Sequence, residues 1–283
     1  MKKIFMSVLV LTLLLIVLVG CGSKGSDSSS SSKSDSTLEN AKKKGVLVIG
    51  SSNDAPFAFI DQKTKKFSGI DAEIIKEAAR RLGIPKVEMK EIKFENLLLE
   101  LNQKNIDMVT DGMYVTPERE KIAKFTNTWY KEGEALVVGK NSTIKGIADL
   151  KDKIVGAQKG SVFLNLANKL QKEGKIKRVV VFGSQSELFL AVKTNKIQAS
   201  IVDGFVAAYS LQNDNSLNLK LVSPYKPQNT GIIAAAVRKN DTELYNAINK
   251  QIDELKENGF ILKVFKKYGV TKDYFVPVSE EKH

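Results

Sequence analysis

The sequence has few of the residues that carry most enzyme chemistry. Among 283 residues it contains one cysteine, Cys21, and one histidine, His283. A disulfide needs two thiols, and zinc sites and nucleophilic catalysis commonly draw on Cys or His. No G-x-S-x-G motif occurs, and Gly139-Lys140 does not complete a phosphate loop, because Glu134 stands where that motif needs glycine. The sequence therefore predicts a protein that is not an enzyme and holds no cofactor and no metal.

Long apolar runs are also absent, except at the start of the chain. Lys2 and Lys3 precede an apolar run over residues 8–19, and Gly20 and Cys21 follow it. A basic start, a short apolar segment and a small residue are typical of a secretory signal, and the run is too short to span a membrane. Small residues directly before a cysteine resemble a bacterial lipobox, in which Cys21 would be lipidated and become the first mature residue.

The next segment contains almost no apolar residues. From residue 22 to about residue 37 the chain is mainly Ser, Gly, Lys and Asp. Such a composition cannot bury enough surface to fold by itself. We therefore predict a signal peptide at 1–20, a flexible tether at 21–37, and a protein held at the extracytoplasmic face of the cell membrane by a lipid on Cys21.

The chain is strongly basic, with a formal net charge of +12. Its lysines are spread along the sequence, without the interleaved aromatic residues or the basic helix that nucleic-acid-binding proteins show. We expect no nucleic-acid partner and interpret the charge as a solvated surface near an anionic cell envelope.

The body of the chain alternates strands and helices, which is typical of a parallel sheet covered by helices. One series has strands at 46–49, 87–92 and 106–109, with helices at 71–82, capped by Asp71, and at 96–103 and 117–123. A second series has strands at 135–139, 154–157, 179–182 and 197–202, with helices at 162–172, 186–193 and 205–212. A strand at 231–237 and two helices within 242–267 follow, and roughly 240 residues suit two cores better than one.

The two series share a local pattern. In each, a leucine-rich helix leads through a lysine into a strand that ends in Asp-Gly, first at Asp111-Gly112 and then at Asp203-Gly204. Ligands of open α/β sheets bind beyond the carboxyl ends of the strands. Two lobes facing each other at these ends would enclose a cleft.

The stretch from Ile106 to Arg119 predicts an anion site. It reads as a strand, a tight turn and a helix that begins with Thr116 as N-cap and Pro117 as first residue. Arg119 falls in the first turn, where the helix end is already positive, so an arginine costs about 0.3–1 kcal/mol unless an anion is near. Either Glu118 and Glu120 neutralise the Arg119 charge on a solvated face, or Arg119 is placed to bind a carboxylate.

Several segments closely resemble the amino-acid-binding receptors of ABC importers, the solute-binding proteins of family 3. They are GSSNDAPFAFID, GIDAEIIKEAARRLG, FENLLLELNQKNIDMVTDGMYVTPER and FTNTWYKEG, and the resemblance spans residues 45–269. It implies an α/β fold: a bilobed, periplasmic-binding-protein-like clamp of type II, with two α/β lobes joined by two hinge segments. Lobe 1 would comprise 38–128 plus 230–276 and lobe 2 134–229, with hinges near 129–133 and 227–231 and a tail at 277–283. The protein would be a monomer that serves an ABC permease in the membrane.

The resemblance also implies roles for individual residues. Arg119 would grip the α-carboxylate of a small zwitterionic ligand, and Asp203 would receive its amino group. Backbone amides near Gly112 and Tyr114, and those of Gly160 and Ser161 in the second lobe, would assist at the carboxylate. Phe57 and Phe94 would form aromatic walls.

Two ligand classes remain open. Tyr114 stands where many such receptors have Ser or Thr, and the set Asp54, Phe57, Phe94, Tyr114 and Arg119 is similar to the aromatic box of ectoine-binding members. Aromatic faces and a carboxylate suit a compact cation. The ligand is therefore predicted to be a polar amino acid or a cyclic or N-alkylated zwitterion such as ectoine.

Two other functions use the same fold. The clamp is known to host a dehydratase acting on cyclic dienyl acids, so the fold alone does not exclude an enzyme with an Asp or Glu acid catalyst. A sensory or adhesion lipoprotein would bind a ligand in the same cleft without transporting it.

Overall fold

The computed structural model describes residues 36–280. The predicted signal peptide, Cys21 and almost all of the predicted tether lie outside these residues. Within them, no helix is both long and apolar enough to cross a membrane.

The described residues form helices and strands in alternation, as the sequence predicted. The helices are Thr37–Lys44 (α1), Ile70–Arg81 (α2), Leu97–Asn102 (α3), Pro117–Glu120 (α4), Val162–Lys172 (α5), Gln185–Lys193 (α6), Gly204–Asn213 (α7), Thr242–Glu257 (α8) and Phe260–Lys267 (α9). The strands are Val46–Ser51 (β1), Phe59–Ile60 (β2), Phe67–Ser68 (β3), Lys86–Glu91 (β4), Met108–Val109 (β5), Lys124–Phe125 (β6), Tyr130–Gly139 (β7), Ile154–Gln158 (β8), Arg178–Phe182 (β9), Ala199–Asp203 (β10), Leu219–Leu221 (β11), Thr230–Ile233 (β12) and Ala236–Val237 (β13).

Lobe 1 is built on a five-stranded sheet in the order β4-β1-β5-β13-β6. Strand β1 pairs in parallel with β4 and β5, whereas β13 runs antiparallel to β5 and β6. Leu47 and Ile49 of β1 are fully buried, as are Ile74 and Ile75 of the covering helix α2. Parallel strands need their faces covered by helices, and this burial explains the continuous apolar run of β1.

Lobe 2 is built on a second sheet in the order β11-β7-β10-β8-β9. Strands β10, β8 and β9 are parallel, and β7 is antiparallel to β10 and β11. The side chain of Ser161 caps α5 by accepting a hydrogen bond from Leu164 N at 3.1 Å. Ser184 caps α6 by accepting a hydrogen bond from Glu187 N, and the Glu187 side chain in turn accepts from Gly183 N.

Two antiparallel strands join the lobes. The long strand β7 leaves lobe 1 at Tyr130, and β12 returns beside it, with Thr230 opposite Gly133 and Ile233 opposite Tyr130. The bilobed, two-hinge α/β fold is therefore confirmed. Both hinge segments are hydrogen-bonded strands, which allows the lobes to rotate about a defined pair of segments.

Four details of the secondary-structure prediction were wrong. The sheets are mixed rather than parallel, because β7 and β13 run against their neighbours. The strand predicted at 231–237 is interrupted between β12 and β13, because β12 pairs with β7 whereas β13 pairs with β6. The helix predicted at 117–123 ends at Glu120. Asp71 does not cap α2, which begins at Ile70 after Gly69; its carboxylate turns inward instead.

Candidate functional site

Arg119 lies at the start of α4 and spans the space between the lobes. Thr116 caps this short helix by accepting a hydrogen bond from Arg119 N at 3.3 Å. The guanidinium donates from Nη1 to Tyr114 O at 2.7 Å and from Nη2 to Gly160 O of lobe 2 at 3.1 Å. Its central carbon is 5.4 Å from the centroid of the Phe94 ring, within cation–π range. Burial lowers the pKa of Arg119 to about 10.

Two carboxyl groups of lobe 1 meet at one serine. Ser52 Oγ lies 2.7 Å from Asp54 Oδ2 and 2.5 Å from Asp111 Oδ2, and Ser52 N donates to Asp111 at 2.7 Å. Burial and the neighbouring charge of Asp54 raise the pKa of Asp111 well above its usual value, and burial raises the pKa of Asp54 to about 6. These two acids therefore compete for the single hydroxyl proton of Ser52.

A second carboxyl pair lies at the hinge. Asp203 ends β10 and caps α7, accepting from Val206 N at 3.4 Å, and its carboxyl neighbours that of Glu132 on β7. Glu132 Oε1 accepts from Phe205 N at 2.7 Å, whereas the buried Oε2 has no donor in the described part of the chain. Burial raises the pKa of Asp203 to about 7, and burial together with the charge of Asp203 raises that of Glu132 well above its usual value. Two carboxyl groups can share a hydrogen bond only if one carries a proton, so we assign that proton to Glu132.

Asp71 connects the hinge to the Asp-Gly turn of lobe 1. It accepts hydrogen bonds from Tyr130 Oη at 2.6 Å and from Gly112 N at 2.9 Å. Burial nevertheless raises the pKa of Asp71 to about 6. The Gly112 amide is thus already used within the protein, and this glycine shapes the site by its lack of a side chain: at φ +57°, a Cβ would lie 2.4 Å from the Phe57 ring.

Aromatic rings form the walls between these polar groups. Phe57 stacks on Tyr130 at a distance of 6.3 Å between ring centroids, and the centroid of the Phe205 ring lies 6.1 Å from that of Phe57. Tyr114 packs edge-on against Phe163 of lobe 2 at 5.5 Å. The Tyr114 hydroxyl is buried and has no hydrogen-bond partner within residues 36–280.

The second lobe contributes the turn before α5. The Ser161 amide donates to Gln158 O at 3.2 Å, and the Gly160 carbonyl accepts from Arg119. Gln158 Nε2 lies 3.4 Å from Asp54 Oδ2 across the cleft, and Gln158 Oε1 accepts from Gln185 Nε2 at 3.0 Å. The lobes therefore contact each other directly through Arg119 and Gln158.

One small cavity brings most of the predicted site residues together. Its volume is about 20 Å³, room for about one water molecule. Eight of the predicted residues line it: Asp54, Phe57, Phe94, Gly112, Tyr114, Arg119, Ser161 and Asp203. Gly160 is the exception; it lies on the outer side of Arg119, in a neighbouring pocket with Phe94.

Sequence reasoning missed several polar residues of the site. Gln158 and Gln185 line the cavity, but a single glutamine in a sequence carries no signal of its role. Glu132 could have been noticed, because an acid within the strand YKEGEALVVG is seldom buried without a partner. Asp71 was noticed but given the wrong role.

The comparisons with known proteins agree with this architecture. The profile of the bacterial extracellular solute-binding proteins, family 3, matches residues 47–271, and the chain belongs to this family. The chain is 32% identical over 235 residues to the arginine-binding extracellular protein ArtP of Bacillus subtilis (strain 168), covering 83% of this chain and 89% of that protein. It is 32% identical over 231 residues to the L-cystine-binding protein TcyA of the same organism, covering 80% of this chain and 82% of that protein.

A solved structure bears on the question of catalysis. The ancestral amino-acid-binding protein AncCDT-1, described as a precursor of cyclohexadienyl dehydratase, superposes with a TM-score of 0.73 at 29% identity, covering 82% of this chain and 99% of that one. The curated relatives are binding proteins rather than enzymes, and they are amino-acid-binding extracellular proteins of ABC transporters. The predicted family and the predicted type II clamp are confirmed.

Proposed function

We propose that this protein is the extracytoplasmic receptor of an ABC importer and that it captures an amino acid in the cavity between its lobes. The observation that carries the proposal is the composition of that cavity, in which a guanidinium from lobe 1 and a carboxyl from lobe 2 line one buried space. An α-amino acid presents a carboxylate and an ammonium group a fixed distance apart. A site with one cationic and one anionic wall complements both.

The carboxylate of the ligand would bind Arg119. In the structure Nη2 of Arg119 donates to a neutral carbonyl, that of Gly160. A carboxylate is a better acceptor, because hydrogen bonds between charged groups are roughly twice as strong as neutral ones. The ring of Phe94 and the carbonyl of Tyr114 hold the guanidinium in place for this exchange.

The ammonium group would bind between Asp203 and Glu132. Glu132 Oε2 is buried without a donor among the described residues, and Asp203 caps α7 through a long hydrogen bond from Val206 N. An ammonium group supplies three N–H donors. It would therefore supply donors to the Asp203 carboxylate, while Glu132 keeps its proton.

Ligand entry would require the lobes to move apart. The cavity of about 20 Å³ cannot hold an amino acid, and the lobes touch through Arg119–Gly160 and Gln158–Asp54. Rotation about β7 and β12 would break these contacts, and closure over the ligand would restore a joint surface that the permease recognises.

The remaining predictions from the sequence complete the proposal. The lobes would have the boundaries 38–128 plus 230–276 and 134–229, with hinges at 129–133 and 227–231. The mature protein would begin at a lipidated Cys21, with a tether holding the monomeric clamp beside the permease.

The role of Arg119 can be tested by titration calorimetry with a panel of amino acids. Arg119→Lys keeps the charge but loses the two parallel donors, so we expect binding to weaken at least about tenfold. Arg80→Lys, which changes an exposed arginine paired with Glu77, is the matched control and should bind as the wild type does. Equal affinity in the Arg119→Lys variant and the wild type would refute the assignment.

A further inference from the structure

The cavity contains more acid than one amino acid can neutralise. Among the described residues, its lining includes Asp54, Asp111 and Asp203 against a single cation, Arg119. Ser52 has one hydroxyl proton but lies within hydrogen-bond distance of both Asp54 and Asp111. A proton on Asp111 supplies the missing donor, and Asp111, only 2% exposed, is the more buried of the two. Asp54 therefore keeps its negative charge, and it faces the cavity.

A chain of amides next to Asp54 ends in a free acceptor. Because Asp54 can only accept, the Gln158 amide must turn its Nε2 toward it, which leaves Gln158 Oε1 to accept from Gln185 Nε2. This order leaves Gln185 Oε1 without a donor. Gln185 is 5% exposed and lines the cavity, and its buried Oε1 has no partner among the residues that the structure describes.

The other charged and titratable groups near the cavity do not change its charge balance. Asp71 is compensated by Tyr130 and by the Gly112 amide. Asp203 and Glu132 share a proton at the hinge end, and Glu91 lies beyond Asp54, on the side of Asn53. Tyr114 adds a neutral hydroxyl without a partner.

We infer that the ligand is a dibasic amino acid, whose second cationic group is received by Asp54 and Gln185. This inference rests on the proposed function and assigns the part of the site that α-amino-acid recognition leaves unused. The ligand's carboxylate, ammonium and distal cation match Arg119, Asp203 and Asp54, charge for charge. A distal ammonium or guanidinium also supplies the N–H donor that Gln185 Oε1 lacks.

A neutral amino acid or ectoine would fill this site incompletely. Either ligand would leave Asp54 charged and enclosed without a cation once the lobes close. Sites built around a buried polar group reject analogues that cannot pair with it far more strongly than they reject a change of size. The named relatives bind arginine and cystine, so their ligands do not decide this point.

The test is a set of calorimetric titrations with L-arginine, L-lysine, L-citrulline, L-glutamine and ectoine. L-citrulline has nearly the shape of L-arginine but no side-chain charge. We expect the wild type to bind L-arginine or L-lysine at least about 30-fold more tightly than L-citrulline. In Asp54→Asn this preference should fall to about threefold, because the dibasic ligand loses its partner while L-citrulline does not.

The matched control is Asp61→Asn, which removes an exposed carboxylate from the neighbouring turn and should preserve the wild-type preference. The comparison within the wild type needs no variant, so a poorly folded Asp54→Asn does not prevent a decision. Tight binding of L-citrulline, L-glutamine or ectoine with no preference for the dibasic ligands would overturn this inference and leave the proposed receptor function standing. An unchanged preference in a folded Asp54→Asn would refute the role of Asp54. No binding of any of these ligands would overturn this inference, and no binding across the whole panel of amino acids used for Arg119 would refute the proposed function itself.

Discussion

The protonated state of Glu132 predicts an unusual dependence of stability on pH. A carboxyl group that keeps its proton in the folded protein but loses it in the unfolded chain makes the folded state bind more protons. Its contribution is fully present below 4.5, the ordinary pKa of a glutamate, and is lost as the pH rises toward the folded-state pKa. The slope is about 1.4 kcal/mol per pH unit for one proton.

Glu132→Gln should remove this slope. The Gln side chain retains a carbonyl oxygen to accept from Phe205 N and offers an N–H to Asp203, as protonated Glu132 does. Between pH 5.5 and pH 7.5 the wild type should lose more stability than the variant, by at most about 2.7 kcal/mol. For a protein of 150–250 residues this limit corresponds to a difference in melting temperature of at most roughly 11 °C.

Differential scanning calorimetry of the ligand-free protein across this pH range measures both slopes. Glu257→Gln removes an exposed carboxylate at the end of α8 and should leave the slope of the wild type unchanged. The reasoning fails if Glu132→Gln loses stability with rising pH as steeply as the wild type does. It also fails if the wild type gains stability as the pH rises from 5.5 to 7.5.

Two further substitutions test the frame that holds the site. Tyr130→Phe removes the hydroxyl that donates to Asp71 at 2.6 Å. Chemical denaturation should show the free energy of unfolding lowered by about 1–3 kcal/mol. A decrease below about 0.5 kcal/mol would show that this hydrogen bond is dispensable. Gly112→Ala places a methyl group 2.4 Å from the Phe57 ring, at a residue with φ +57°. Titration calorimetry should therefore show ligand affinity reduced at least about tenfold. An affinity equal to that of the wild type would contradict the close approach of Phe57.

Local sequence signals predicted much of the fold. Helix α5 occupies the predicted residues 162–172, and the break between α8 and α9 lies at Asn258-Gly259. Nearby residues define these elements: a capping serine, an apolar stripe, and a glycine that accepts a positive φ. The short pairings β2–β3, β6–β13 and β7–β11 were missed, because two or three residues give no periodicity to recognise.

The sequence alone also determined the two acids at strand ends and the arginine at the start of α4. Arg119 stands out because the positive helix end makes its charge costly, and Asp111 and Asp203 stand out because the same helix–strand–Asp-Gly pattern occurs twice. Tertiary structure decided what these charges meet. It put Asp111 beside Asp54, Asp203 beside Glu132, and Gln158 across the cleft from lobe 1. The physical reason is that the interaction of a charge depends on distance and burial, and residues far apart in the chain acquire both only when the chain folds.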